Sequence, residues 1–149
     1  MSLDPPLRLL AAYQQYLNQS PEMVISVPGR DMWIAAEFDG QHTYTIITPD
    51  LEGRAVFDRR SAIQKRTLRN RPLPHWARYP AGVSVILSDD GLSLPGGTVL
   101  IIGDEPSGPR YEHALGMAFA ALWYESQQQP CDVNRLLDVM ERVQKQYLD

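Results

Sequence analysis

The chain has 149 residues, a net charge of −4, 44% hydrophobic and 21% charged content, the proportions of one soluble globular domain large enough to bury a core. No run approaches about 18 consecutive apolar residues, which excludes a membrane-spanning helix, and the start lacks the basic, then apolar, then small-residue pattern of a secretory leader. A single cysteine, Cys131, excludes an internal disulfide and suits a reducing cytoplasm, and His42, His75 and His113 show no ligand spacing, so no metal site is expected.

Asp4-Pro5-Pro6 predicts a helix start, with Asp4 as N-cap and Pro5 in the first helical position. Leu9, Leu10, Tyr13, Tyr16 and Leu17 follow at helical spacing until Ser20-Pro21 ends the helix. Residues 22–27, 32–38 and 44–48 read as strands. Pro28-Gly29-Arg30 is a turn and Asp39-Gly40 a hairpin signal, so locally 22–48 predicts an antiparallel meander. Residues 51–57 add a strand. Residues 59–71 read as an exposed helix ending before Pro72, or as a loop. Residues 74–87 read as a helix with Trp76, Tyr79, Val83, Ile86 and Leu87 on one side, closed by Asp89-Asp90-Gly91. After the linker 127–130, Asp132 caps a last helix bearing Val133, Leu136, Leu137, Met140, Val143 and Tyr147.

The stretch 98–127 organises the chain. Residues 98–102 read as a buried strand and 103–109 as a loop with two Gly and two Pro. From about Arg110 a helix carries Tyr111, Leu115, Ala118, Phe119 and Leu122 on one face. Strand, Gly-containing loop and helix N-terminus is an arrangement that binds phosphate, and it is also an ordinary connection; the Lys-Ser/Thr of a P-loop is absent. Glu112 stands in the first turn, where it favours its own helix end by roughly 0.3–1 kcal/mol. Against an incoming phosphate about 4 Å away it repels by about 4 kcal/mol at an effective dielectric of 20. The loop therefore reads as a phosphate site lost or altered.

The loop resembles the second motif of the GHMP kinases, galactokinases in particular, which reads Pro-x-Gly-x-Gly-Leu-Ser-Ser-Ser-Ala. Pro106, Ser107 and Gly108 align with its start, Arg110 and Tyr111 replace the second Gly and the Leu, and Glu112, His113 and Ala114 replace the serines. Residues 27–40 resemble the first galactokinase motif, with Pro28, Gly29, Arg30, Ile34 and Asp39 matching; the motif's Glu is Ala36 here and its His is Glu37. Trp76, Tyr79, Gly82 and Val83 match a third, scaffolding segment in spacing. The resemblance spans about residues 5–147. It implies an α+β fold, a β-sheet with helices packed on one face, as in the N-terminal domain of GHMP kinases. In that family the Arg assists phosphoryl transfer from Mg-ATP, and the Glu, His and Asp hold the sugar. Arg30, Asp39 and Glu37 are thus the implied substrate residues, with Asp39 reading equally as a turn residue and Arg30 as a solvated one.

Family kinases continue past this length, so the resemblance implies that 1–149 is a single truncated domain. It lacks the catalytic Asp and the third motif, and bears surface that a homo-oligomer or partner protein would cover. The leading expectation is a cytoplasmic pseudoenzyme that binds a small molecule or a protein. The competing one is a sugar kinase completed by a second chain. A third rests on charge: residues 54–78 hold eight of the fourteen Lys and Arg and a single acidic residue, Asp58. This segment reads as a solvated face or as an anion- or nucleic-acid-binding surface, with Phe57, Trp76 and Tyr79 near enough in sequence to stack bases, although no recognised nucleic-acid motif accompanies it.

Overall fold

The computed structural model describes residues 6–148. Its strands are β1 (Met23–Ser26), β2 (Met32–Phe38), β3 (Thr43–Thr48), β4 (Gly53–Asp58) and β5 (Gly97–Gly103), joined in one sheet of order β1-β2-β5-β3-β4. β5 runs antiparallel to β2 and parallel to β3, and the outer pairs are antiparallel. The helices are α1 (Leu7–Leu17), α2 (Arg59–Ile63), α3 (Arg78–Asp89), α4 (Pro109–Ser126) and α5 (Val133–Val143). The α+β architecture is as expected.

The expected meander is not formed. β5 lies between β2 and β3, so those two strands never pair and Asp39-Gly40 closes no hairpin. The local turn chemistry is nonetheless present: Gly40 has a φ of +75°, and the Gln41 N–H donates to Asp39 Oδ1 at 2.9 Å. What overrides it is a distant strand. Val99, Leu100, Ile101 and Ile102 are buried on both faces of the sheet, and a strand apolar on both sides belongs in its centre. Gly96 and Gly97 admit it there, because a side chain at either would run into the Gln41 or Glu37 carbonyl.

α4 is apolar nearly all round, with twelve of its eighteen residues buried. Such a helix must sit between layers. The sheet, through Ile34, Val99 and Ile101, lies on one side, and α3 and α5 lie on the other. Phe119 and Trp123 stack edge-on at 5.3 Å, and Tyr44 of β3 meets them at 6.1 and 5.8 Å.

α1 departs from the one-faced expectation. Leu9 and Tyr13 pack on the opposite sheet face against Ala35, Ile47, Leu100 and Ile102, while Leu10 and Tyr16 of the expected stripe are exposed. The helix ends at Leu17, ahead of Ser20-Pro21, with Asn18 left-handed at φ 55° and its N–H bonded to the Gln14 carbonyl. Asp4 and Pro5, the expected cap, lie outside the described residues. Residues 59–71 divide between both readings: α2 is five residues, capped reciprocally by Asp58 and Ser61, and a hydrogen-bonded loop follows. Asp132 caps α5 as expected, accepting from the Arg135 N–H at 2.9 Å. Among the described residues, no helix is long and apolar enough to cross a membrane.

Phe119 is fully buried at the centre of this aromatic cluster. Phe119→Ala is expected to cost about 3–5 kcal/mol, a large share of the ~5–15 kcal/mol of a typical domain. Urea unfolding will show a lower midpoint at an unchanged slope.

Candidate functional site

At the C-terminal end of β5 the chain turns through residues 104–108 into α4. The turn before β2 meets it there. Val27-Pro28-Gly29-Arg30 is a tight turn: the Arg30 N–H donates to the Val27 carbonyl at 3.2 Å, Pro28 takes the second position, and Gly29 takes the third at φ +77°. This turn aims the Arg30 guanidinium under the loop. Two hydrogen bonds fix the approach, Asp104 N–H to the Asp31 carbonyl and Asp31 N–H to the Glu105 side-chain Oε2, both at 2.8 Å.

Glu105 is the centre of the cluster. Its side chain is only 7% exposed, and its Oε1 lies 3.4 Å from Arg30 Nη1 and 3.7 Å from Arg110 Nη2. One carboxylate therefore engages two guanidinium groups and a backbone amide. Arg30, itself 18% exposed, is held further by Met117 Sδ at 3.2 Å from Nε and His113 Nδ1 at 3.1 Å from Nη2. Burial first, and the Arg30 charge second, hold the His113 imidazole below its ordinary pKa. The neutral ring accepts the Arg30 N–H at Nδ1, which assigns its own proton to Nε2. Tyr79 packs edge-on against the same ring at 6.2 Å.

The loop is braced on its other flank as well. Arg8 Nη2 donates to Asp104 Oδ1 at 2.6 Å, and Arg8 Nη1 lies 3.7 Å from Asp50 Oδ1. Asp50 Oδ2 accepts from the Gly103 N–H at 2.9 Å and from the Tyr111 hydroxyl. Burial and then the Asp50 bond raise the Tyr111 pKa, keeping it a donor. Pro106 and Ser107 are exposed on the loop. Gly108 precedes α4 at φ +102° without a side-chain cap, and Pro109 takes the first helical position. Glu112 is paired with His75 Nδ1.

Pro106, Ser107, Gly108, Arg110 and Arg30 are thus brought together, while Glu37 and Asp39 are not. They stand at the far end of β2, whose seven residues at ~3.3 Å each put about 20 Å between them and Arg30. Glu37 faces the α1 side, where it accepts from Gln19 and raises the Tyr13 pKa after burial, and Asp39 is exposed beside Gln41. Sequence reasoning missed Glu105, His75, Asp50 and Met117 and read His113 only as a replaced serine. Glu105 was visible only as an acidic residue in a Gly/Pro loop, with its partner Arg30 75 positions away.

With this geometry in view, the comparisons place the fold. No protein-family model and no curated protein matches the sequence. Solved structures do, among them a galactokinase and mevalonate kinases. Lactococcus lactis galactokinase complexed with galactose superposes with a TM-score of 0.67 at 14% identity, over 95% of this chain and 42% of that one. Methanococcus jannaschii mevalonate kinase does so with a TM-score of 0.58 at 10% identity, over 76% and 36%. The chain has the fold of part of these kinases and spans less than half the length of each. At these identities the likeness is one of fold.

The depressed His113 pKa makes stability pH-dependent. The unfolded chain takes up the proton near pH 6.5 and the folded chain only below that, so this contribution is complete above about pH 6.5 and is lost as pH falls through the folded value. Urea midpoints of the wild type are expected to fall from about pH 7 to 5. His113→Asn, which keeps an acceptor for Arg30, will show a smaller fall over the same window.

Proposed function

We propose that this chain is a non-catalytic, galactokinase-like domain that works by binding a partner protein, its phosphate loop closed by its own carboxylate. The observation that carries this reading is Glu105. In a phosphate-binding loop the nearby cations and amides await an anion; here Arg30, Arg110 and the Asp31 N–H already have one, nearly buried. A phosphate would have to displace it or enter beside it against like charge. The separation of Arg30 from Glu37 and Asp39 supports the same reading for a sugar. The free thiol of Cys131 is consistent with a reducing, cytoplasmic setting.

One observation favours a second reading, a sugar kinase completed by another chain. Arg30 stands beside the loop where the family's arginine acts, and the start of α4 has no side-chain cap. Turnover of Mg-ATP with galactose would establish it.

A ligand at 100 times its dissociation constant stabilises by about 2.7 kcal/mol, roughly 5–10 °C in a domain of this size. Thermal unfolding with millimolar Mg-ATP, galactose or both is expected to show no such shift; a shift with Mg-ATP would overturn the reading. Glu105→Ala, which releases both arginines, is expected to gain stabilisation by phosphate that the wild type lacks. Light scattering over a range of concentrations is expected to give a mass above 16.9 kDa, and a constant 16.9 kDa would point to a different protein as the partner.

A further inference from the structure

Half of the twelve arginines are spoken for. Arg8, Arg30, Arg59, Arg110 and Arg142 pair with carboxylates, and Arg135 binds two oxygens and lies 4.0 Å over the Tyr124 ring. Around the loop after α2 the pattern reverses. Among the described residues, the side chains of Arg54, Arg60, Arg69 and Arg71 make no ion pair and no hydrogen bond, and all four are exposed. Arg66 bonds only the Asn70 carbonyl, at 3.0 Å.

The loop is built rather than slack. Arg66 and Pro72 form an antiparallel bridge, the Thr67 N–H reaches the Arg71 carbonyl at 2.7 Å, and the Asn70 N–H closes a turn on the Thr67 carbonyl at 2.9 Å. The Leu68 N–H ties the turn to the Val56 carbonyl of β4 at 2.9 Å. Leu68, 48% exposed, and Arg69 project at its tip. A cleft of about 830 Å³ opens on one side, lined by Arg54, Arg69 and Arg71 with Val56, Pro72 and Pro74. A smaller one, about 190 Å³, opens on the other with Arg60 and Arg66 and with Asp58, whose carboxylate accepts from the Ser61 N–H at the start of α2. The two share Thr67 and Leu68, so they form one groove astride a fixed turn.

We propose that this groove docks the sugar–phosphate backbone of double-stranded nucleic acid, by charge and without regard to base sequence. Arg54, Arg69 and Arg71 line the larger cleft with no carboxylate among its walls, an arrangement that calls for an anion, and guanidinium forks match phosphate oxygens two at a time. The density of charge selects the occupant. A duplex carries one charge per ~1.7 Å of axis, whereas an acidic protein surface dilutes its carboxylates among neutral residues. Duplex is favoured over single strand because the groove offers no stacking platform. Phe57 is buried in the core, Trp76 is seated over Gly53, and Tyr79 packs on His113, so the aromatics that the sequence places near this segment do not line the groove. The net charge of −4 confines the attraction to this edge.

Fluorescence anisotropy with labelled duplexes of about 20 base pairs, RNA and DNA in separate arms, tests this over a series of salt concentrations. Binding is expected to weaken with a slope of log K against log salt of about −4, from four phosphate contacts at ~0.9 each. Arg69→Gln with Arg71→Gln is expected to reduce the slope by about 2 with an unchanged urea midpoint, and Lys145→Gln, exposed just beyond the end of α5, to leave it unchanged. Absence of binding at about 50 mM salt overturns the proposal, as does a slope indifferent to the double variant. Displacement of duplex by polyglutamate at equal charge overturns it in favour of an acidic protein, and tighter binding of single strands overturns the duplex assignment.

Discussion

The passage of β5 between β2 and β3 is the constraint on which the rest depends. Its neighbours run in opposite directions relative to it, antiparallel at β2 and parallel at β3. A parallel partner demands a long crossover, and the connection from β3 to β5 supplies it through β4, α2 and α3. Because β5 is buried on both faces, one side must be covered by α4 and the other by α1. Because it ends at Gly103, the loop that follows emerges beside the turn that carries Arg30. The site is therefore a consequence of strand order: three segments distant in sequence meet where the central strand stops.

Within that site the decisive element is an internal anion. The fold presents two arginines, an amide and a helix start to one spot, and Glu105 occupies it with its side chain almost out of water. Arg30 and Glu105 are the buried pair, and removing either leaves the other's charge uncompensated, which is costly, while Arg110 joins them from the surface. Arg8, Asp50 and Tyr111 clamp the opposite flank of the same loop, so it is held from both sides.

Much of the architecture was legible because its signals are local and periodic. The apolar run of β5, the stripe of α4 from Tyr111 to Leu122, the Asp132 cap and the Asp89-Asp90-Gly91 stop all report on neighbours within a few residues. Asp39-Gly40 shows where such reading fails: the turn is real, but its pairing is decided by a strand more than fifty positions later. Which side of the sheet α1 covers was not legible, because helical spacing reports that a face is buried, not which side of a sheet buries it. In the site, Arg30 and the loop residues were legible from motif resemblance. Glu105 was not, since a carboxylate acquires its meaning from partners that only the tertiary fold supplies. Glu37 and Asp39 fall far from Arg30 because β2 stays extended to Phe38, carrying them to the other end of the sheet.

The way the sheet ends has a bearing on how this molecule meets its own kind. An open sheet has two outermost strands, each a template for a foreign strand. On β4 the Leu68 amide already occupies the Val56 carbonyl, and the loop stands across the route of approach. β1 is four residues long and lies between Pro21 and Pro28, neither of which has an N–H to offer. Ribbon-like stacking of copies is thus blocked at one margin and starved of length at the other. Contact between copies through backbone pairing is thereby disfavoured at both margins, which leaves side chains as the means of any contact between them.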